Sequence, residues 1–237
     1  MPHPAVKMYG RLTNQGYWRN PEPVKALIIT GGECPPVRFL RGLASGADLV
    51  IAADSGLDAA FKAGIEPDLV VGDFDSLEDR SLLDRIPAGK KKEYPVDKDD
   101  TDTELAIKAA TEMKADHVAI AGGGGGRLDH LMALLYLFGR PDCPREWHTR
   151  KESIYYLEAG KKVSFIMPPG STVSVFPIGS ASKGMLSSGL KWPLKGLEWE
   201  KGQFGISNRS SDKRVVISAG SAALIVIVPI GCKGLFQ

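Results

Sequence analysis

The chain has 237 residues, and its 30 Lys and Arg against 28 Asp and Glu leave a formal charge of +2. That balance excludes the broad basic field of a protein that lives on nucleic acid or anionic membrane. A hydrophobic content of 43% excludes a disordered chain, and the longest apolar run, residues 222–228, falls far short of the ~18–20 residues that cross a bilayer.

Residues 1–23 show no periodicity and no apolar core of a secretory signal, so they read as an arm. Three scattered cysteines, Cys34, Cys143 and Cys232, argue against a disulfide scaffold and against a Cys-based zinc site. The expected location is the cytoplasm.

Short apolar runs then alternate with helical spacing. Residues 25–30 (KALIIT), 48–53 (DLVIAA), 68–72 (DLVVG) and 117–121 (HVAIA) read as buried strands. Residues 56–63, 81–86, 103–113 and 128–138 carry helical spacing. This alternation predicts βαβ units and a parallel sheet covered on both faces. Ligands of such sheets sit beyond the C-terminal ends of the strands.

From about residue 139 the pattern changes. Residues 140–150 are rich in Pro and charge and read as a link or a cap. After Gly160, short β-rich segments separated by Gly, Pro and Ser predict an all-β sandwich. The expected division is an arm over 1–23, an α/β catalytic domain over 24–150 and a β-sandwich over 151–237.

The net charge hides an imbalance. Residues 48–104 hold 16 of the acids and 7 of the basic residues. Several of these acids stand at strand ends. Asp54 follows DLVIAA; Asp73 and Asp75 follow DLVVG; Asp102 precedes the helix near Thr103. In extended backbone, Asp73 and Asp75 point the same way, because strand side chains alternate. Converging carboxylates repel unless a cation holds them, and oxygen-only ligation suits Mg²⁺. The alternative for Asp102 is a first-turn helix acid.

Five glycines, Gly122 to Gly126, follow the strand HVAIA. A glycine loop feeding a helix lets backbone N–H groups approach phosphate. Arg127-Leu128-Asp129-His130 continues it. Arg127 suits bidentate phosphate binding. Asp129 could ligate a cation, orient Arg127 or accept a proton, and His130 could contact phosphate or move a proton. Together these features point to phosphoryl or nucleotidyl-type transfer.

The ordered set Gly31-Gly32-Glu33, Ala53-Asp54-Ser55-Gly56, Asp73-Phe74-Asp75-Ser76, Lys98-Asp99-Asp100-Thr101-Asp102 and Gly125-Gly126-Arg127-Leu128-Asp129-His130 resembles the thiamine pyrophosphokinase family. Gly189 to Leu194 and Gly205 to Asn208 extend the likeness into the tail. The resemblance implies transfer of a pyrophosphoryl group from ATP to thiamine, releasing AMP, with Mg²⁺, in a homodimer. It implies metal ligation by Asp54, Asp73, Asp75 and Asp102. ATP would meet Asp54, Lys98, Thr101, Gly125, Gly126 and Arg127. Asp73, Asp75, Asp102, Arg127, Asp129 and His130 would form the transfer site. Thiamine would meet Trp192, Ser207 and Asn208, the alternative for Trp192 being a sandwich core residue.

This chain departs from the family pattern where Leu131-Met132-Ala133-Leu134 replaces a segment that usually carries Asn, and where Ser55 replaces a common Gly. The competing readings are a pyrophosphokinase for another hydroxymethyl acceptor such as a pterin, a metal-dependent phosphohydrolase, and a non-catalytic nucleotide or thiamine binder.

Overall fold

A computed structural model describes residues 11–12, 18–19 and 23–237. The arm expected over residues 1–23 lies outside the described residues, except for Pro23 and two short strands. These strands, β1 (Arg11–Leu12) and β2 (Trp18–Arg19), pair antiparallel.

From Lys25 the order is β3 (Lys25–Ile29), α1 (Val37–Ser45), β4 (Leu49–Ala53), α2 (Gly56–Lys62), β5 (Leu69–Gly72), β6 (Lys91–Glu93), α3 (Asp102–Glu112), β7 (His117–Ala121), α4 (Leu128–Leu137) and β8 (Glu146–His148). The C-terminal part is all strand: β9 (Glu152–Leu157), β10 (Lys162–Ile166), β11 (Thr172–Pro177), β12 (Ser182–Lys183), β13 (Leu186–Ser188), β14 (Glu198–Trp199), β15 (Gly205–Arg209), β16 (Arg214–Ser218), β17 (Leu224–Pro229) and β18 (Leu235–Phe236).

β3 is central. β4, β5 and β6 extend parallel on one side of it, and β7 and β8 on the other. Successive residues of β3 enter opposite cores. Ala26 and Ile28 pack with α3 and α4, whereas Leu27 and Ile29 pack with α1 and α2. Burial on both faces is why the strand reads as one apolar run. Each large aliphatic buried here contributes ~1.5–3 kcal/mol. The chain leaves β3 toward β4 and returns to β7 on the far side. That reversal opens a crevice at the C-terminal ends of β3 and β7.

β9 turns back antiparallel against β8, and β17, β11 and β15 continue the same sheet. A second sheet, in the order β13-β16-β10-β18, covers it. Val163 and Phe165 of β10 meet Val173, Val175, Val226 and Val228 in a separate core. The α/β half and the antiparallel sandwich match the expected fold class.

Several local expectations change. Residues 140–150 are not only a link, because β8 within them is a sheet strand. A helix not expected from the sequence, α1, follows β3. Residues 81–86 lie mostly in a 3-10 turn, Arg80–Arg85, rather than an α-helix. Residues 189–194 form no strand; they meet β15 through Lys191 N–H, which donates to Arg209 O at 2.8 Å, through the Asn208 side chain at Trp192, and beside the isolated Leu190–Ser210 bridge.

Candidate active site

A cleft of about 390 Å³ opens at the switch point. Its walls come from Thr30 to Gly32 after β3, Asp54 after β4, the N-terminus of α3, the glycine loop, and α4. Thr101, Asp102, Gly125, Gly126, Arg127 and His130 all line it.

The glycine loop folds against the loop after β3. Gly123 N–H donates to Gly31 O, and Glu33 N–H donates to Gly124 O, both at 2.6 Å. At Gly122, φ is +113° and an added Cβ would lie 2.2 Å from Thr30 O, so only glycine fits.

The acids converge from three elements. Asp54 is buried in a left-handed turn with φ 47°, and its backbone N–H is tied to Val71 O at 2.8 Å. Gly72 lies beneath: a Cβ there would be 3.2 Å from Asp54 Cα and 3.3 Å from Asp102 Oδ1. Its missing side chain lets these two acids approach. Asp73 and Asp75 face the same space, but not through extended backbone. Phe74 between them is left-handed, with φ 63°, and its ring is buried. Contrary to the alternation expected for this pair, a turn and not a strand brings the carboxylates together.

Asp54, Asp73 and Asp75 each offer a carboxylate oxygen within 4.8 Å of the others. Asp54 Oδ1 is buried with no hydrogen-bond partner. A buried, unpaired carboxylate oxygen beside two more carboxylates is a costly arrangement that a hard divalent cation relieves. The set therefore fits such an ion.

Asp102 is placed differently. Its Oδ1, like that of Asp54, is buried without a hydrogen-bond partner, but it makes an ion-pair contact with Lys98 Nζ at 3.0 Å; Lys98 donates its hydrogen bond to Asp73 Oδ2 at 2.5 Å. The Lys98 hydrogen bond holds the Asp73 carboxyl below its usual range. Burial pushes Asp102 up, against the pull of Lys98. For Lys98, burial lowers the pKa, but the pull of Asp73 and Asp102 outweighs it, leaving the ammonium above its usual range.

Arg127 precedes α4 and holds Asp129 with two parallel bonds, Nε to Oδ1 at 3.1 Å and Nη2 to Oδ2 at 2.5 Å. This bond keeps Asp129 ionised below the usual range. Asp129 thus orients Arg127 and does not itself line the cleft.

Two residues that sequence reasoning missed brace the cleft. Glu104 Oε2 accepts from both Thr101 N–H and Thr101 Oγ1 at 2.8 Å, and Glu104 Oε1 pairs with Arg140 Nη2 at 2.5 Å. The spacing Thr-x-x-Glu is a capping-box signal that points to Glu104. Nothing local in the sequence points to Arg140, just beyond α4.

Trp192, Ser207 and Asn208 lie outside this cleft. Trp192 is 53% exposed, with the Lys191 ammonium 4.6 Å from its ring centre. Asn208 is committed to the backbone: its Nδ2 donates to Trp192 O at 2.7 Å and its Oδ1 accepts from Trp192 N at 3.2 Å. Ser207 is exposed and left-handed, with φ 58°.

Comparison with known proteins matches residues 40–145 to the thiamin pyrophosphokinase catalytic domain and residues 158–224 to the thiamin pyrophosphokinase vitamin B1 binding domain. The chain belongs to the thiamine pyrophosphokinase family. It is 28% identical over 207 residues to the thiamine pyrophosphokinase of Bacillus subtilis, covering 84% of this chain and 96% of that one. The crystal structure of a thiamine pyrophosphokinase from Bacillus subtilis superposes with a TM-score of 0.72 at 27% identity, covering 87% of this chain and 99% of that one. The Candida albicans thiamin pyrophosphokinase structure, at 18% identity, shares the fold with a TM-score of 0.73 over 88% of this chain and 90% of that one.

Proposed function

We propose that this chain transfers a pyrophosphoryl group from ATP to the hydroxyl of thiamine, giving thiamine diphosphate and AMP. The observation that carries the reading is the three-carboxylate cluster adjoining a glycine-loop cleft, in a chain matched by both family domains. Residues 24–150 are read as the ATP-binding unit and residues 151–237 as the thiamine-binding unit, with residues 1–23 as an arm.

The thiamine hydroxyl oxygen bonds to the β-phosphorus of ATP, and the bond from that phosphorus to the α-side oxygen breaks. The leaving AMP takes the electron pair, and the hydroxyl proton passes to a base. Gly125 and Gly126 N–H groups and Arg127 would hold phosphate oxygens, with Asp129 fixing the guanidinium. His130, in the first turn of α4, lines the same cleft and would accept that proton. Asp54, Asp73 and Asp75 would hold Mg²⁺, which supplies charge neutralisation at the phosphates. Thr101 and Asp102 line the adenosine-triphosphate side of the cleft.

Thiamine meets Trp192, Ser207 and Asn208 in this reading. The exposed Trp192 ring offers an aromatic face of the kind a cationic thiazolium stacks on. These residues are outside their own chain's cleft, which supports a homodimer in which one copy completes the other's site. Exposed apolar side chains Leu128, Met132, Leu135 and Tyr136 on α4 support the same assembly. The described residues contain no helix long and apolar enough to cross a membrane. The cysteines Cys34, Cys143 and Cys232 are free, which supports the cytoplasm.

An acceptor panel tests the reading. With ATP and Mg²⁺, thiamine should yield thiamine diphosphate and a pterin alcohol should not. Thiamine monophosphate with ADP as the products would overturn it.

A further inference from the structure

The acidic cluster carries a cation of its own. Lys98 Nζ sits 2.5 Å from Asp73 Oδ2 and 3.0 Å from Asp102 Oδ1, and only 13% of the lysine side chain is exposed. The three-carboxylate group comprises Asp54, Asp73 and Asp75 and leaves Asp102 out. Asp102 is the acid that Lys98 meets in an ion pair instead, with its Oδ1 otherwise unpartnered. The four carboxylates therefore divide into two places for positive charge, sharing Asp73. One is taken by the Lys98 ammonium; the other is the group of Asp54, Asp73 and Asp75. A divalent ion between Asp73 and Asp102 would have to share its oxygens with Lys98 at contact distance. Like charges that close repel strongly in a half-buried site.

We propose that Lys98 is a tethered substitute for a second divalent ion, so that the cluster takes one divalent cation per chain. This rests on reading Asp54, Asp73 and Asp75 as a cation site. Lys98 stands four residues before Asp102, at the entrance to α3, so its reach is short and its position is set by the helix start. It holds Asp73 and Asp102 together when no divalent ion is bound. An ammonium also brings three donors that a phosphate oxygen can use, without imposing octahedral coordination.

Mn²⁺ alone is the probe, with free Mn²⁺ followed by electron paramagnetic resonance and the melting temperature recorded in parallel. The wild type should bind one Mn²⁺ at the cluster. Lys98→Met should bind two and gain more in melting temperature from Mn²⁺ than the wild type does. Lys98→Arg, which keeps the charge, should bind one. Two ions in the wild type would overturn the role of Lys98 while leaving the cation-site reading intact. One ion with wild-type affinity in Lys98→Met would do the same. No saturable Mn²⁺ in the wild type, with Asp73→Asn behaving identically, would instead overturn the cation-site reading. If Lys98→Met fails to fold, a count of two in the wild type or in Lys98→Arg still overturns the proposal.

Discussion

Phe74 sets the geometry of Asp73 and Asp75, the two carboxylates that flank it. A left-handed non-glycine residue costs ~1–3 kcal/mol. Burial of its ring among Leu57, Val70, Leu77 and Ile86 contributes a comparable amount in the other direction. The strain is held by packing, and it aims Asp73 and Asp75 into one space. Asp73→Asn should lower kcat by at least ~100-fold, the scale of losing electrostatic stabilisation of a transition state. Its circular dichroism should stay that of the wild type; a near-normal turnover would remove Asp73 from the site. Trp192→Ala should raise the thiamine KM well above any change in the ATP KM; equal changes would displace Trp192 from the acceptor site. At this scale the residue types at the site were legible, because Asp, Gly and Arg at strand ends carry their chemistry in their identity. The left-handed turn at Phe74 was not legible, because it depends on a hydrophobic pocket assembled from β4, β5 and α2. The commitment of Asn208 to the Trp192 backbone was hidden for the same reason: its partner is 16 residues away.

Among the elements, α3 matters most to the site, because its first residue is Asp102 and its N-cap is Thr101. The Thr101–Glu104 capping box and the Arg140 contact fix that end against α4. Thr101→Ala removes both bonds of its hydroxyl, from Glu104 N–H and to Glu104 Oε2, and should cost ~1 kcal/mol in urea unfolding. It should also weaken ATP more than thiamine, since the cap borders the cleft. An unchanged unfolding midpoint would show that the cap contributes nothing. The central strands were legible because both of their faces are buried, which leaves an uninterrupted apolar run. β8 was not, because two of its three residues are Glu146 and His148. Their polarity is consistent with burial only because they satisfy each other. Glu146 Oε2 lies 3.0 Å from His148 Nε2, Glu146 Oε1 lies 3.3 Å from His117 Nε2, and Ser153 Oγ lies 2.9 Å from His148 Nδ1. No periodicity can announce a strand whose interior is a hydrogen-bonded network. α1 escaped notice because Leu40 is its one fully buried residue.

Across the whole molecule, one sheet runs from β6 through β3 and β8 to β15, so the α/β half and the sandwich share a backbone ladder. The Glu146 network lies at the seam where that ladder changes from parallel to antiparallel. Burial alone would raise the Glu146 pKa, but the bonds to His117 and His148 bring it down to about 2. A carboxylate depressed in the folded state stabilises above its ordinary value of 4.5 and loses that contribution as pH falls toward 2. The melting temperature should therefore fall as pH drops through that acid window, and Glu146→Gln should flatten the dependence there. An identical acid profile in the variant would remove the seam from the account. Light scattering should give about twice the 25.5 kDa chain mass, in keeping with closed two-fold assembly; a monomer with full activity would contradict the shared site. The most direct measurement of the central claim follows phosphorus from ATP labelled separately at each position. The β and γ phosphorus should both appear in thiamine diphosphate, and the α phosphorus should remain in AMP. Transfer of the γ phosphorus alone, with ADP released, would contradict it.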